Sequence, residues 1–200
     1  METLTLAALL LMAAYLLKTH AQKKRIVLLA AHLARYDIEK LMENLTEGYL
    51  RCLGEDDPAR RQQIWGLLDD TANRLASQFE RFAAEFARVD EAAARVSKLP
   101  LALPFAQLLP GASFDMRRAL AIHARGIADA AANTLQQTAK SKAYLMSAEL
   151  FLMQHTCHWY CRSKAVASAR MLARHKTSYA QLIDAVAPTT RRDYLALVGN

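Results

Sequence analysis

The chain has 200 residues, of which 53% are hydrophobic and 22% are charged, and its formal net charge is +7. This length and apolar content suit one domain with a substantial core and exclude a globally disordered chain. Residues that favour helices dominate and strand-like runs are absent, so we expect an all-α fold, an elongated helical bundle. Three cysteines form no disulfide framework, which favours a reducing compartment.

The chain begins with an uncharged apolar segment, residues 3–17, which has no polar face when wound into a helix. A helix that is apolar on all sides is buried either in protein or in lipid. Residues 1–17 would span roughly 25 Å, slightly less than the hydrocarbon core of a bilayer at about 30 Å. We expect a membrane anchor here, and the alternative is a core helix or dimer contact of a soluble protein. The residues assigned to anchoring are Leu6, Leu10, Ala13 and Leu17.

A basic cluster follows the apolar segment and is expected to set its topology or contact lipid; its members are Lys18, Lys23, Lys24 and Arg25. By the positive-inside rule, the remainder of the chain would then lie in the cytoplasm, attached to the cell membrane. The alternative location is the cytoplasm without attachment. A cleaved signal peptide is disfavoured because no positive charge precedes the apolar segment.

Apolar residues recur at alternating spacings of three and four over residues 6–52, which predicts one long helix with a coiled-coil-like seam. Asp57 and Pro58 mark the start of the next helix, as N-cap and first helical residue. A similar apolar pattern over residues 64–96 predicts that this second helix is also long. The two helices would form an antiparallel hairpin over residues 18–98. Their seams also favour a protein partner or a second copy of the chain.

Residues 99–114 carry no charge and contain three prolines. Proline excludes a regular helix here, while the leucines exclude a solvated linker. We favour an apolar connector that caps the bundle, and the alternative is a loop that dips into the membrane or binds a partner.

Residues 115–200 form a basic helical region. We expect a helix opened by Ser113 and Asp115, a break within residues 138–142, and a long helix over residues 143–176. Two short final helices would be separated at Pro188. Their N-termini are predicted from capping-box spacings, Ser178 with Gln181 and Thr190 with Asp193.

Four side chains within the predicted long helix have the chemistry of zinc ligands: His155, Cys157, His158 and Cys161. One helix face presents only two of them to a metal, so Cys52 or His123 would have to complete the site. The alternative, which we favour, is that these residues pack in the core and that no cofactor binds. A soluble metal-binding enzyme or sensor is therefore the second functional hypothesis. The chain has no phosphate loop, nucleophile elbow or His-Glu-x-x-His sequence, so an enzyme is not expected.

The end of this long helix is basic, and Arg170 and Arg174 are its candidates for contact with acidic lipid or a partner. Non-specific nucleic-acid binding is a third hypothesis, disfavoured because the region lacks interleaved aromatic residues and a helix-turn-helix unit. Glu149 is the only acidic residue between Asp129 and Asp184, and it is expected to be buried or paired, in a structural role. The sequence favours a membrane-associated helical scaffold or interaction protein.

Overall fold

The computed structural model describes residues 2–99 and 111–199. Within these ranges the chain is almost entirely helical, which confirms the all-α prediction. The helices are α1 Glu2–Leu33, α2 Ile38–Leu53, α3 Pro58–Phe86, α4 Glu91–Ala94, α5 Met116–Ala131, α6 Ala139–Cys161, α7 Lys164–His175, α8 Tyr179–Ala185 and α9 Pro188–Val198. Two short strands are also present, β1 Arg95–Ser97 and β2 Ser113–Asp115. Residues 100–110, most of the predicted connector, lie outside the described residues.

The predicted single helix over residues 6–52 is wrong, because the chain turns between α1 and α2. The backbone N–H of Asp37 in this turn donates to Gln78 Oε1 on α3 at 2.7 Å. Directly after it, Ile38 enters the core with 2% of its surface exposed. Helices on either side of a turn keep the same periodicity, so an unbroken apolar pattern does not reveal the turn.

Helices α2 and α3 form the predicted antiparallel pair. Asp57 caps α3 by accepting a hydrogen bond from the Ala59 N–H at 2.9 Å, and Pro58 occupies the first turn. The pair packs so closely that a side chain at Gly48 would collide with Leu68. The second helix is shorter than predicted, because α3 ends at Phe86 and Val96 lies in strand β1.

The β1–β2 ribbon holds the two ends of the predicted connector side by side. The strands are antiparallel with Val96 opposite Phe114, and the Lys98 N–H donates to Ala112 O at 2.8 Å. Trp159 of α6 fixes the ribbon to the helices by donating from Nε1 to Ser97 O at 2.8 Å. No strand was expected, because strands of three residues are too short to show an alternating pattern in the sequence.

Helices α5 and α6 lie at the centre of the bundle, against α3 on one side and α8 and α9 on the other. Aromatic rings of α3 fill the interface with the central helices, and Phe79, Phe82 and Phe86 are fully buried. The ring of Phe86 meets Tyr160 of α6 edge to face at 5.9 Å. Burial of each such side chain stabilises the fold by roughly 1.5–3 kcal/mol.

The C-terminal helices differ from the predictions in their boundaries. The long helix over residues 143–176 is interrupted after Cys161, where Ser163 caps α7 by accepting from the Val166 N–H. The break before α6 comes earlier than expected, since Thr138 is already the N-cap of that helix. The capping box of Ser178 and Gln181 is confirmed. The second predicted box is wrong, because α9 begins at Pro188 and Thr190 lies inside it.

Candidate functional site

The N-terminal half of α1 projects from the bundle with its apolar side chains uncovered. Leu6, Leu10 and Leu17 are 60%, 63% and 51% exposed, and Ala13 is exposed as well. Within the described residues, Thr3–Leu33 is the one helix long and apolar enough to cross a membrane, and its most apolar stretch has no buried residue. A soluble protein rarely leaves a continuous apolar surface of this kind in water.

Exposure of this apolar surface to water carries a large free-energy cost. Nine bulky apolar side chains are more than half exposed: Leu4, Leu6, Leu9, Leu10, Leu11, Met12, Tyr15, Leu16 and Leu17. Transfer of one such side chain from water to an apolar medium is favourable by roughly 1.5–3 kcal/mol. Transfer of all nine side chains from water to an apolar medium is therefore favourable by more than about 10 kcal/mol.

The C-terminal half of α1 is fixed to the bundle. Gln22 is its first buried residue, and its Oε1 accepts a hydrogen bond from Arg162 at 2.9 Å. Arg25 donates to Arg95 O at 2.9 Å and lies 5.7 Å from the ring of Tyr160. These contacts place α1 antiparallel to α6, so that residues 2–21 extend beyond the C-terminal end of α6. At 1.5 Å per residue this extension measures about 30 Å, and its uncharged part, residues 3–17, measures about 23 Å, less than the hydrocarbon core of a bilayer at about 30 Å.

The end of the bundle from which α1 emerges is basic. Lys23 and Lys24 are exposed and Lys18 is partly exposed. Arg162, directly after α6, adds a cation at the same end, where it donates a hydrogen bond to Gln22 of α1. Arg25, predicted to set topology, also contacts the bundle, and burial lowers its pKa. Arg170 and Arg174, the other predicted lipid contacts, are both exposed on α7.

The four predicted zinc ligands are not brought together. His155 is buried and its Nε2 lies 3.0 Å from Ser168 Oγ, whereas the His158 Nδ1 is 3.3 Å from an Arg170 nitrogen. Cys157 Sγ lies 3.8 Å from the sulfur of Met153. Within residues 2–99 and 111–199, no three His, Cys, Asp or Glu side chains converge as metal ligands do. The reason is helix geometry, which turns His155 away from the two cysteines.

Cys52 and His123, suggested as further zinc ligands, lie in other parts of the bundle. Cys52 lies between α2 and α3 with its Sγ 3.5 Å from Arg61 O, and His123 is in the centre of the bundle. Burial raises the pKa of the Cys161 thiol to about 11 and raises that of Cys157 still more strongly. Both thiols are therefore neutral at physiological pH, although thiolate is the form that binds metal and acts as a nucleophile.

A buried polar network links α5, α6 and α9, and sequence reasoning missed it. His123 Nε2 lies 2.9 Å from Thr156 Oγ1, which is in turn 2.9 Å from the Tyr194 hydroxyl. All three side chains are fully buried. Burial, assisted by nearby His155, lowers the pKa of His123 to about 3. The network therefore holds a neutral imidazole and specifies how the three helices pack.

Glu149 is a second buried polar group in the same region, as its isolation in the sequence predicted. Its Oε1 accepts a hydrogen bond from the backbone N–H of Ala187 at 2.9 Å, immediately before α9. The carboxyl group lies so close to Gly126 that a side chain there would collide with it. Burial raises the pKa of Glu149 to about 7 against the opposing effects of the Ala187 N–H and the Thr190 hydroxyl.

Comparison with known protein families, curated proteins and solved structures finds no match.

Proposed function

We propose that this protein is a membrane-anchored helical scaffold, in which residues 3–17 of α1 enter the bilayer and hold the bundle at its surface. The proposal rests on the uncovered apolar half of α1, which is joined to the bundle through hydrogen bonds of Gln22 and Arg25. Its role would be to position the bundle for a partner protein or a second copy.

The charges at the exit point of α1 support this arrangement. Lys18, Lys23 and Lys24 lie at one end of the apolar extension, where cationic side chains reach the lipid headgroups. Arg162 adds positive charge at the adjacent end of the bundle, beside Gln22 of α1. Under the positive-inside rule, the bundle would lie on the cytoplasmic side of the cell membrane.

Membrane fractionation with a carbonate wash tests the proposal. The full chain should remain in the membrane pellet, and a variant with Leu6→Asp and Leu10→Asp should be released. An acidic side chain costs about 3 kcal/mol near the centre of a bilayer. The matched control carries Leu50→Asp and Leu67→Asp, which replace equally exposed leucines on α2 and α3, and should remain bound.

Two results would contradict the proposal. The first is recovery of the full chain in the soluble fraction, and the second is membrane retention of the Leu6 and Leu10 variant equal to that of the control. The intact mass of the membrane-bound chain is measured alongside, because loss of about the first twenty residues would identify a cleaved signal sequence instead of an anchor.

A further inference from the structure

A groove of about 490 Å³ lies between α1, the beginning of α2 and α6. Its walls are mainly aliphatic and sulfur-containing side chains, among them Leu29, Leu33, Met42, Met153 and Cys157. The volume falls within the range of about 300–1,000 Å³ that is usual for small-molecule sites. The wall formed by α6 between Met153 and Arg162 is about 14 Å long, at 1.5 Å per residue.

The groove carries its cationic side chains at one end. Because α1 and α6 are antiparallel, Ile26 and Arg162 lie at the end nearest the exit of α1, while Leu33 and Met153 lie at the other. Arg170 also lines the groove, and its guanidinium reaches His158 on α6. The groove therefore combines a mainly apolar channel with two guanidinium groups, while the exposed carboxylate of Glu39 lines it on the α2 side.

The two guanidinium groups have neutral partners. Arg162 donates to the side-chain oxygen of Gln22, and Arg170 lies 3.3 Å from the Nδ1 of His158. In the part of the chain that the structure describes, no carboxylate forms an ion pair with either arginine. Burial, assisted by nearby Arg170 and Arg174, lowers the pKa of His158, so this imidazole adds no further cation. The positive charge at this end is therefore available to an anionic ligand.

We propose that the groove binds a fatty acid, with the carboxylate between Arg162 and Arg170 and the hydrocarbon chain running toward Leu33 and Met153. A guanidinium group binds a carboxylate through paired, charge-assisted hydrogen bonds. The aliphatic walls and neutral thiols match an unbranched hydrocarbon chain, which has no polar group to satisfy. This function is additional to anchoring and does not require it.

Photolabelling of the full chain in phosphatidylcholine nanodiscs tests the site, with dodecanoate that carries a diazirine at the end of its chain. The label should appear at the apolar end of the groove, near Leu33, Met42 and Met153, as located by mass spectrometry. Excess unlabelled dodecanoate should suppress this labelling, whereas the corresponding alcohol should not. Labelling of residues 3–17 reports probe dissolved in the bilayer and should not be suppressed.

Two pairs of variants separate a specific site from general partitioning. Ala30 lines the groove and Ala31 does not, so Ala30→Phe should abolish groove labelling and Ala31→Phe should preserve it. Arg170→Gln should raise the concentration for half-maximal labelling by roughly tenfold or more, the usual effect of losing a charge-assisted hydrogen bond. Arg174→Gln, also on α7 but outside the groove, should leave that concentration unchanged.

Several outcomes would overturn the proposal. These are groove labelling that resists competition, equal competition by the alcohol, stronger competition by dodecyl phosphate, and labelling of Ala30→Phe at the wild-type level. An equal increase in the concentration for half-maximal labelling in Arg170→Gln and Arg174→Gln would also refute the carboxylate site. Absence of label from residues 3–17 contradicts the membrane anchor and leaves the groove result intact, so the two proposals fail separately.

Discussion

Replacement of Glu149 by Gln should change how the stability of the fold depends on pH. In the folded chain burial raises the pKa of Glu149 to about 7, from an ordinary value of 4.5. Below pH 4.5 the carboxyl group is protonated in both folded and unfolded chains, and its contribution to stability is fully present. As pH rises from 4.5 to 7, the unfolded chain loses this proton first, so stability falls. Above about pH 7 the contribution has been lost.

The magnitude follows from the difference between the two pKa values. At about 1.4 kcal/mol per pH unit, the wild type should lose about 3 kcal/mol of unfolding free energy across this window relative to Glu149→Gln. For a chain of this length, that corresponds to roughly 6–12 °C in Tm. The variant retains an acceptor for the Ala187 N–H, so it should be close to wild type at pH 4.5 and more stable at pH 7.5.

The assay is urea unfolding of the full chain in a mild nonionic detergent, followed by tryptophan fluorescence at several pH values. His123 and His155, whose pKa values burial lowers to about 3 and about 4, give the opposite slope below pH 6.5. Their effect is common to both proteins and cancels in the difference. Glu43→Gln, at an exposed position of α2, is the control and should show no such trend. A stability difference between Glu149→Gln and wild type that does not change with pH would show that burial does not raise the pKa of Glu149 in the folded chain.

Three further stability predictions follow from the packing, each measured by the same unfolding assay. Gly126→Ala should destabilise the fold by about 1–3 kcal/mol, because the new methyl group overlaps Glu149. Gly66→Ala is its control, and it should stabilise α3 by about 0.5–1 kcal/mol since nothing lies within 4 Å of the added atom; equal effects of the two would contradict the packing. Phe82→Ala should cost about 3–5 kcal/mol through the cavity it leaves among buried rings, and a loss below about 1 kcal/mol would show that the site is not packed as described. Asp57→Ala should cost about 1 kcal/mol by removing the α3 N-cap, and an unchanged stability would mean that this cap is not formed in solution.

The fold class could be predicted because helix-forming residues dominate almost every part of the chain. The turn before Ile38 could not, because α1 and α2 continue the same three- and four-residue spacing although α1 packs mainly on α6 and α2 mainly on α3. The end of α3 was missed for a similar reason, since Val96 fits the helical pattern but pairs with Phe114 in the ribbon. Periodicity shows which residues face a partner, and it does not show whether that partner changes along the chain.

The candidate site was predictable where a single helix determines it. The apolar half of α1 lacks a polar face in the sequence, and the structure leaves that same half uncovered. The groove depends on α1 and α6 meeting, for example through Gln22 and Arg162, which are 140 positions apart. Likewise, the contact between His123 and Thr156 requires two helices to be packed. Such distant pairings leave no spacing pattern in one sequence.

Amide hydrogen exchange of the full chain in lipid nanodiscs measures whether the apolar half of α1 enters the bilayer. Backbone amides within a bilayer are hydrogen-bonded in the helix and separated from water, so they exchange very slowly. Peptides from residues 3–17 are expected to be protected as strongly as those from the buried helix α6. Rapid exchange of residues 3–17 in the nanodiscs, with α6 still protected, would show that this half does not enter the bilayer.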